Sequence, residues 1–187
     1  RRVVGCQTQR QHIALQDAAS IAGTPWDNEA AEESQENLDD TFFAPGQVSG
    51  SFAFQVGMGA LTYGVGKAAG SAKAADVGLD LVRAQIVSQV FVQALKYTVQ
   101  RERPDGSDNH SFPSGHSASA FAMGTVLQRH FGWKGVVPGY AFGAYIALSR
   151  MSENKHHLSD VIMGAGFGLA AGRTVTLDLA GQKFGVG

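Results

Sequence analysis

Residues 149–160, SRMSENKHHLSD, set two histidines side by side, with Arg150 six residues before the first and Asp160 four residues after it. Taken alone, such a pair marks a solvated helix start. Arg150 closes one stretch of helical periodicity, and Ser152 to Asn154 are residue types that begin another, so both histidines are predicted in its first turn. Asp160 then lies one helical turn from either ring, and either imidazole can meet its carboxylate. Spacing does not choose between His156 and His157. The rest of the chain has to decide whether this segment carries chemistry.

Working outward, apolar residues recur at three and four from about residue 48 onward. Helices are predicted near 48–68, 73–100, 115–131, 136–150 and 154–173. In the second, Val77, Leu81, Ile86, Val90, Val92 and Leu95 are expected to supply most of a buried face. TVTLD at 174–178 alternates like a strand but has no partner strand. The fold class is therefore all-α: a compact helical bundle of about five core helices over 47–187, preceded by an N-terminal appendage over 1–46. Ile13, Leu15 and Ile21 suit an amphipathic helix that Gly23, Thr24 and Pro25 break. DNEAAEESQENLDD at 27–40 carries seven acids and no base, the pattern of a solvated or mobile segment. Two glycine stripes spaced by four, Gly135, Gly139, Gly143 and Gly164, Gly168, Gly172, permit close helix approach. They flank the opening segment and are expected to hold it rigidly.

Composition narrows the function. A formal charge of -1 over 187 residues offers no basic face for nucleic acid. Cys6 is the single cysteine, which excludes an intrachain disulfide and a multi-cysteine metal site. VVGC at 3–6 has the form of the end of a bacterial lipoprotein signal, but no apolar stretch precedes it, so Cys6 reads as an ordinary cysteine. The long uncharged run between Asp40 and Lys67 is broken by Pro45, Gln47, Ser49, Ser51 and Gln55, a poor membrane span. The expectation is a soluble or peripherally attached domain.

Two further clusters accompany the first. In KYTVQRERP, 96–104, Lys96 and Arg103 are seven apart, two helical turns, and are expected on one face, with Pro104 ending the segment. In FPSGHSASA, 112–120, Pro113 and Gly115 mark a turn, Ser114 can cap, and the following helix turns its free amides toward any bound anion beside His116. His130 closes that helix, where a cation suits the dipole.

The ordered set Lys-x6-Arg-Pro, Pro-Ser-Gly-His and Ser-Arg-x5-His-x3-Asp resembles the three-part signature of the type 2 phosphatidic acid phosphatase superfamily, with its class A acid phosphatases and vanadium haloperoxidases. Lys96, Arg103 and Pro104; Pro113 to His116; and Ser149, Arg150, His156 and Asp160 fill every position. The loop between the first two parts, DGSDNHSF, is short for the family, which implies an open leaving-group side.

The resemblance implies a metal-independent phosphatase acting on a phosphomonoester or diphosphate, soluble or lipid, without a cofactor. His156 would be the nucleophile, forming a phosphohistidine, Asp160 its orienting carboxylate and His116 the proton donor. Lys96, Arg103, Ser114, Gly115 and Arg150 would bind the phosphate oxygens, a site that vanadate can also fill. His157 then falls outside the signature. Alternatives carried with it are a vanadate-dependent haloperoxidase and a non-catalytic phosphate- or headgroup-binding module. A bacterial periplasmic or cell-envelope setting follows from the same resemblance, with peripheral membrane contact and self-association left open.

Overall fold

The computed structural model describes residues 26, 27, 29, 30, 33 and 40–177. Regular structure among them is helical. Two short helices, α1 (Asp40–Phe43) and α2 (Pro45–Ser49), lead into five long ones: α3 (Phe52–Ala68), α4 (Ala72–Val99), α5 (Gly115–Phe131), α6 (Trp133–Ser152) and α7 (Leu158–Val175). The expected helix around Ile13 to Ile21, Cys6 and most of the acidic stretch lie outside the described residues. So does Asp178 of TVTLD, whose Thr174 and Val175 finish α7 instead of starting a strand.

Helix α5 is the central element, with α4, α6 and α7 packed around it, while α3 leans mainly on α4. Both glycine stripes face α5 from two sides instead of facing each other. A Cβ on Gly139 would meet Gly124 Cα at 2.7 Å, and one on Gly164 or Gly168 would run into the carbonyl oxygens of Ser114 or Ala118. Helices α5 and α6 are joined through Gly132 alone, whose φ of 61° favours glycine. Side chains in the centre are small to match these approaches: Val77, Leu81, Ala84, Ala122 and Val126 form one cluster.

The polarity of α4 departs from the expectation. Ile86 and Val90 are exposed, and the inward face of α4 carries Gln85, Ser88 and Lys96 beside Val77, Leu81 and Val92. The cause lies in α5, whose Ser119 carbonyl accepts from Gln85 Nε2 at 2.9 Å and whose Gly115 carbonyl accepts from Gln89 Nε2 at 3.0 Å. Helix α3 goes further. It buries Gln55, Gly59 and Gly66 while Phe52, Phe54, Met58, Leu61 and Val65 are exposed. Even so, no helix among the described residues is long and apolar enough to cross a membrane.

Boundaries moved for local reasons. Ser51 adopts an extended backbone and its Oγ accepts from Phe54 N–H at 3.3 Å, so α3 begins after a break at Gly50–Ser51. Residues 153–157 are not helical: Asn154 has φ 53°, and the Lys155 and His156 amides donate back to the Arg150 carbonyl. His156 therefore precedes α7 and His157 is its N-cap, instead of both lying in the first turn.

Candidate active site

The C-terminal ends of α4 and α6 and the N-terminal ends of α5 and α7 meet at one end of the bundle. There a cavity of about 240 Å³ is lined by Lys96, Arg103, Gly115, His116, Arg150 and His156, together with Phe52, Gln89 and Gln93. Three motifs spread over more than sixty residues of chain thus reach one opening. Helix α4 does not run on to Arg103 as the two-turn spacing supposed. It stops at Val99, Gln100 takes a left-handed conformation, and the chain reverses to return Arg103 to the same cavity.

Each cation is held from behind. Lys96 Nζ donates to the His110 carbonyl. Arg103 Nε donates to Asp108 Oδ1 at 2.7 Å and Nη1 to the Lys155 carbonyl at 3.1 Å. Arg150 Nη2 donates to Glu153 Oε2 at 2.9 Å, but its buried Nε and Nη1 have no partner among the described residues. Burying guanidinium donors unmet is costly, and an anion in the cavity would satisfy them. Burial, reinforced by the neighbouring Arg103 charge, lowers the Lys96 pKa to about 8.

His156 is 4% exposed, with Nδ1 3.7 Å from Asp160 Oδ2. That separation is an ion-pair distance, longer than a hydrogen bond. Burial, with the Lys96 and Arg103 charges, lowers His156 to about 4 against the opposing pull of Asp160, so its imidazole is neutral near pH 7. His116 is also lowered to about 4, by burial first and then by Arg150. Its Nε2 lies 2.9 Å from the Gln47 carbonyl of α2; the carbonyl can only accept, so this nitrogen carries the hydrogen and Nδ1 is left for other work.

Asp160 is fully buried and heavily engaged. Its Oδ2 accepts from the His157 amide at 2.9 Å and from Ser111 Oγ, and its Oδ1 accepts from Arg101 Nη1 at 2.6 Å. Burial pushes this carboxyl up, but the neighbouring imidazole, Ser111 and Arg101 outweigh it and hold it at about 2. The Asp160 carbonyl also accepts from Ser114 N–H at 2.9 Å, tying the start of α7 to the start of α5.

The motif residues divide in two. Lys96, Arg103, Gly115, His116, Arg150 and His156 line the opening, whereas Asp160 stands behind His156. Ser114 is fully buried as the N-cap of α5, its Oγ accepting from Ser117 N–H at 3.4 Å. His157 contributes its backbone amide to Asp160. Sequence reading missed Arg101, Ser111 and Asp27. Arg101, only two residues before Arg103, could have been suspected as a second buried cation. Asp27 carries no local signal. It was read as part of a solvated acidic run, yet it is 3% exposed because Arg101 and Ser159 surround its carboxylate.

Fold and opening together define a class: an all-α bundle whose helix ends gather three cations and two histidines about a single cavity. The model of the PAP2 superfamily matches residues 77–182, and the chain belongs to that family. The crystal structure of Aquifex aeolicus LpxE aligns with a TM-score of 0.69 at 22% identity, covering 82% of this chain and 96% of that one. A transmembrane PAP2-type phosphatidylglycerolphosphate phosphatase from Bacillus subtilis aligns with a TM-score of 0.69 at 19% identity, covering 88% and 92%. At these identities the likeness is one of fold. A lipid A 1-phosphatase from Porphyromonas gingivalis is 41% identical over 86 residues, 44% of this chain and 19% of that protein, so the match spans about a fifth of that relative's length.

Proposed function

We propose that the protein is a phosphatase of lipid phosphate esters that works through a phosphohistidine, without a metal ion. The observation that carries this is the buried Arg150 guanidinium, two of whose donors are unmet among the described residues, facing the same cavity as Lys96, Arg103 and the neutral His156. A bound phosphate would satisfy those donors, and its equatorial oxygens would meet fixed positive charge as the transition state forms. A cavity lined by cations disfavours a divalent metal, which would need carboxylates there.

In this mechanism the His156 nitrogen facing the cavity forms a bond to phosphorus while the ester P–O bond breaks. Asp160 holds the opposite nitrogen protonated and the ring aimed. His116 gives its Nδ1 proton to the departing alkoxide, then takes one from the water that cleaves the N–P bond and releases inorganic phosphate. With His116 lowered to about 4 in the free protein, its proton arrives when the negative charge of the phosphate enters beside it.

A lipid substrate is supported by the named activity of the Porphyromonas relative and by α3, whose exposed Phe52, Phe54, Met58, Leu61 and Val65 lead away from the opening. Phe52 itself lines the cavity. We place the protein at the surface of a bacterial cell-envelope membrane, with this face against acyl chains. The test is hydrolysis by the purified protein of an aryl phosphate and of lipid phosphomonoesters in detergent micelles, each with and without chelator. The expected result is chelator-insensitive phosphate release, faster from the lipid. Activity lost to chelator would overturn metal independence, and preference for the soluble ester would overturn the lipid assignment.

A further inference from the structure

The carboxylate behind His156 is itself held by a second acid from far away in the chain. Arg101 lies between them: Nη1 donates to Asp160 Oδ1 at 2.6 Å and Nη2 to Asp27 Oδ2 at 2.9 Å. All three side chains are shielded from solvent, at 11% exposed for Arg101, 3% for Asp27 and 0% for Asp160. Asp27 also takes two bonds from Ser159 in the first turn of α7, the amide on Oδ1 and the hydroxyl on Oδ2, each at 2.9 Å. Arg101 Nη1 reaches the same hydroxyl at 2.7 Å. The turn that carries Asp160 is therefore pinned from outside the bundle by a residue 132 positions earlier.

The charges explain why a second acid is needed. Arg101 alone would neutralise Asp160, which already gives both oxygens to donors, and would leave His156 surrounded by positive charge. The groups facing His156 are Lys96 of α4, Arg103 of the following connection, His116 of α5, Arg150 of α6 and Asp160 of α7. Arg101 stands behind the last. Adding Asp27 makes the buried set of two carboxylates and one guanidinium net negative, which favours a proton on His156 Nδ1 and a positive phosphorylated ring.

We propose that Asp27 is a positioning residue: by sharing Arg101 and pinning Ser159, it keeps Asp160 aimed at His156 with its negative charge undiminished. This rests on His156 being the nucleophile. The sign of two substitutions separates the role from mere support. Asp27→Asn keeps the side chain's shape but turns one accepting oxygen into a donor and removes the balancing charge, so His156 should titrate lower. Arg101→Gln removes the competing cation, so His156 should titrate higher.

The experiment is NMR titration of the imidazoles in the whole protein and in both variants, with aryl phosphate kinetics beside it. We expect His156 to move in opposite directions, by about 0.5 pH unit each way. We also expect Asp27→Asn to lower kcat about tenfold while KM stays within about twofold, since Asp27 does not touch phosphate. Movement in the same direction, or none, overturns the proposal. Should Asp27→Asn fail to fold, Arg101→Gln decides alone, and a titration that does not rise overturns it. The titration needs no turnover: opposite movements in a protein inactive on every ester would sink the phosphatase reading and leave the charge balance standing.

Discussion

The two ends of the bundle carry similar residues to different effect. At one end Lys96, Arg103, Arg150, His116 and His156 line about 240 Å³; at the other Lys67, Arg83, Arg129 and His130 line about 550 Å³ with Asp76 and Asp80. At the larger end Asp80 lies among the cations, 2.9 Å from His130 Nε2 and 3.7 Å from Arg83 Nη1. Two carboxylates thus offset most of the positive charge within the cavity itself. At the smaller end the carboxylates stand behind the lining groups, so the face toward the opening stays positive and Arg150 keeps two unmet donors among the described residues. A basic cluster thus becomes an anion site through the placement of its counter-charges, and cavity size is no guide.

This contrast can be broken most directly at the histidines. His156→Ala should lower aryl phosphate turnover at least about 10³-fold, whereas His157→Ala and His130→Ala should each leave it within about twofold, measured by phosphate release. Equal losses at 156 and 157 would overturn the assignment. Next in size, Arg150→Ala should cost about 10²–10³ in kcat/KM, against no more than twofold for Arg83→Ala at the opposite end.

The pH profile sharpens the comparison further. His156 must be neutral to attack and His116 protonated to donate, and both are lowered to about 4 in the free protein, so kcat/KM should rise as pH falls through the ordinary histidine range and turn down only near about 4. Inhibition by inorganic phosphate should weaken above about pH 8 as Lys96 loses its proton, and Lys96→Arg should extend it to higher pH. The smallest effect belongs to the balanced end: Asp80→Asn should reduce stability by no more than about 1 kcal/mol by thermal unfolding and leave turnover unchanged.

Much of the site was legible because its residues come in short runs whose spacing matches a family signature, and local chemistry placed Ser114 at a helix cap and His116 in a first turn. The α4 face was misread since Ile86 and Val90 obey helical periodicity while pointing away from the core. What lies inside is decided by the donors that α5 requires. The His156 segment was drawn one turn too early, because residues that can begin a helix do not reveal that Asn154 will reverse the chain first.

By itself the sequence determined the helical class, the glycine stripes and the identity of the cations and histidines, since periodicity and spacing are local properties. Only the tertiary structure decided that both stripes pack on α5, that Arg103 reaches the cavity by chain reversal, and that Asp27 joins Arg101 behind Asp160. Those outcomes depend on which distant groups share a low-dielectric interior, where an unpaired charge is too costly to leave alone. No run of neighbouring residues encodes that pairing.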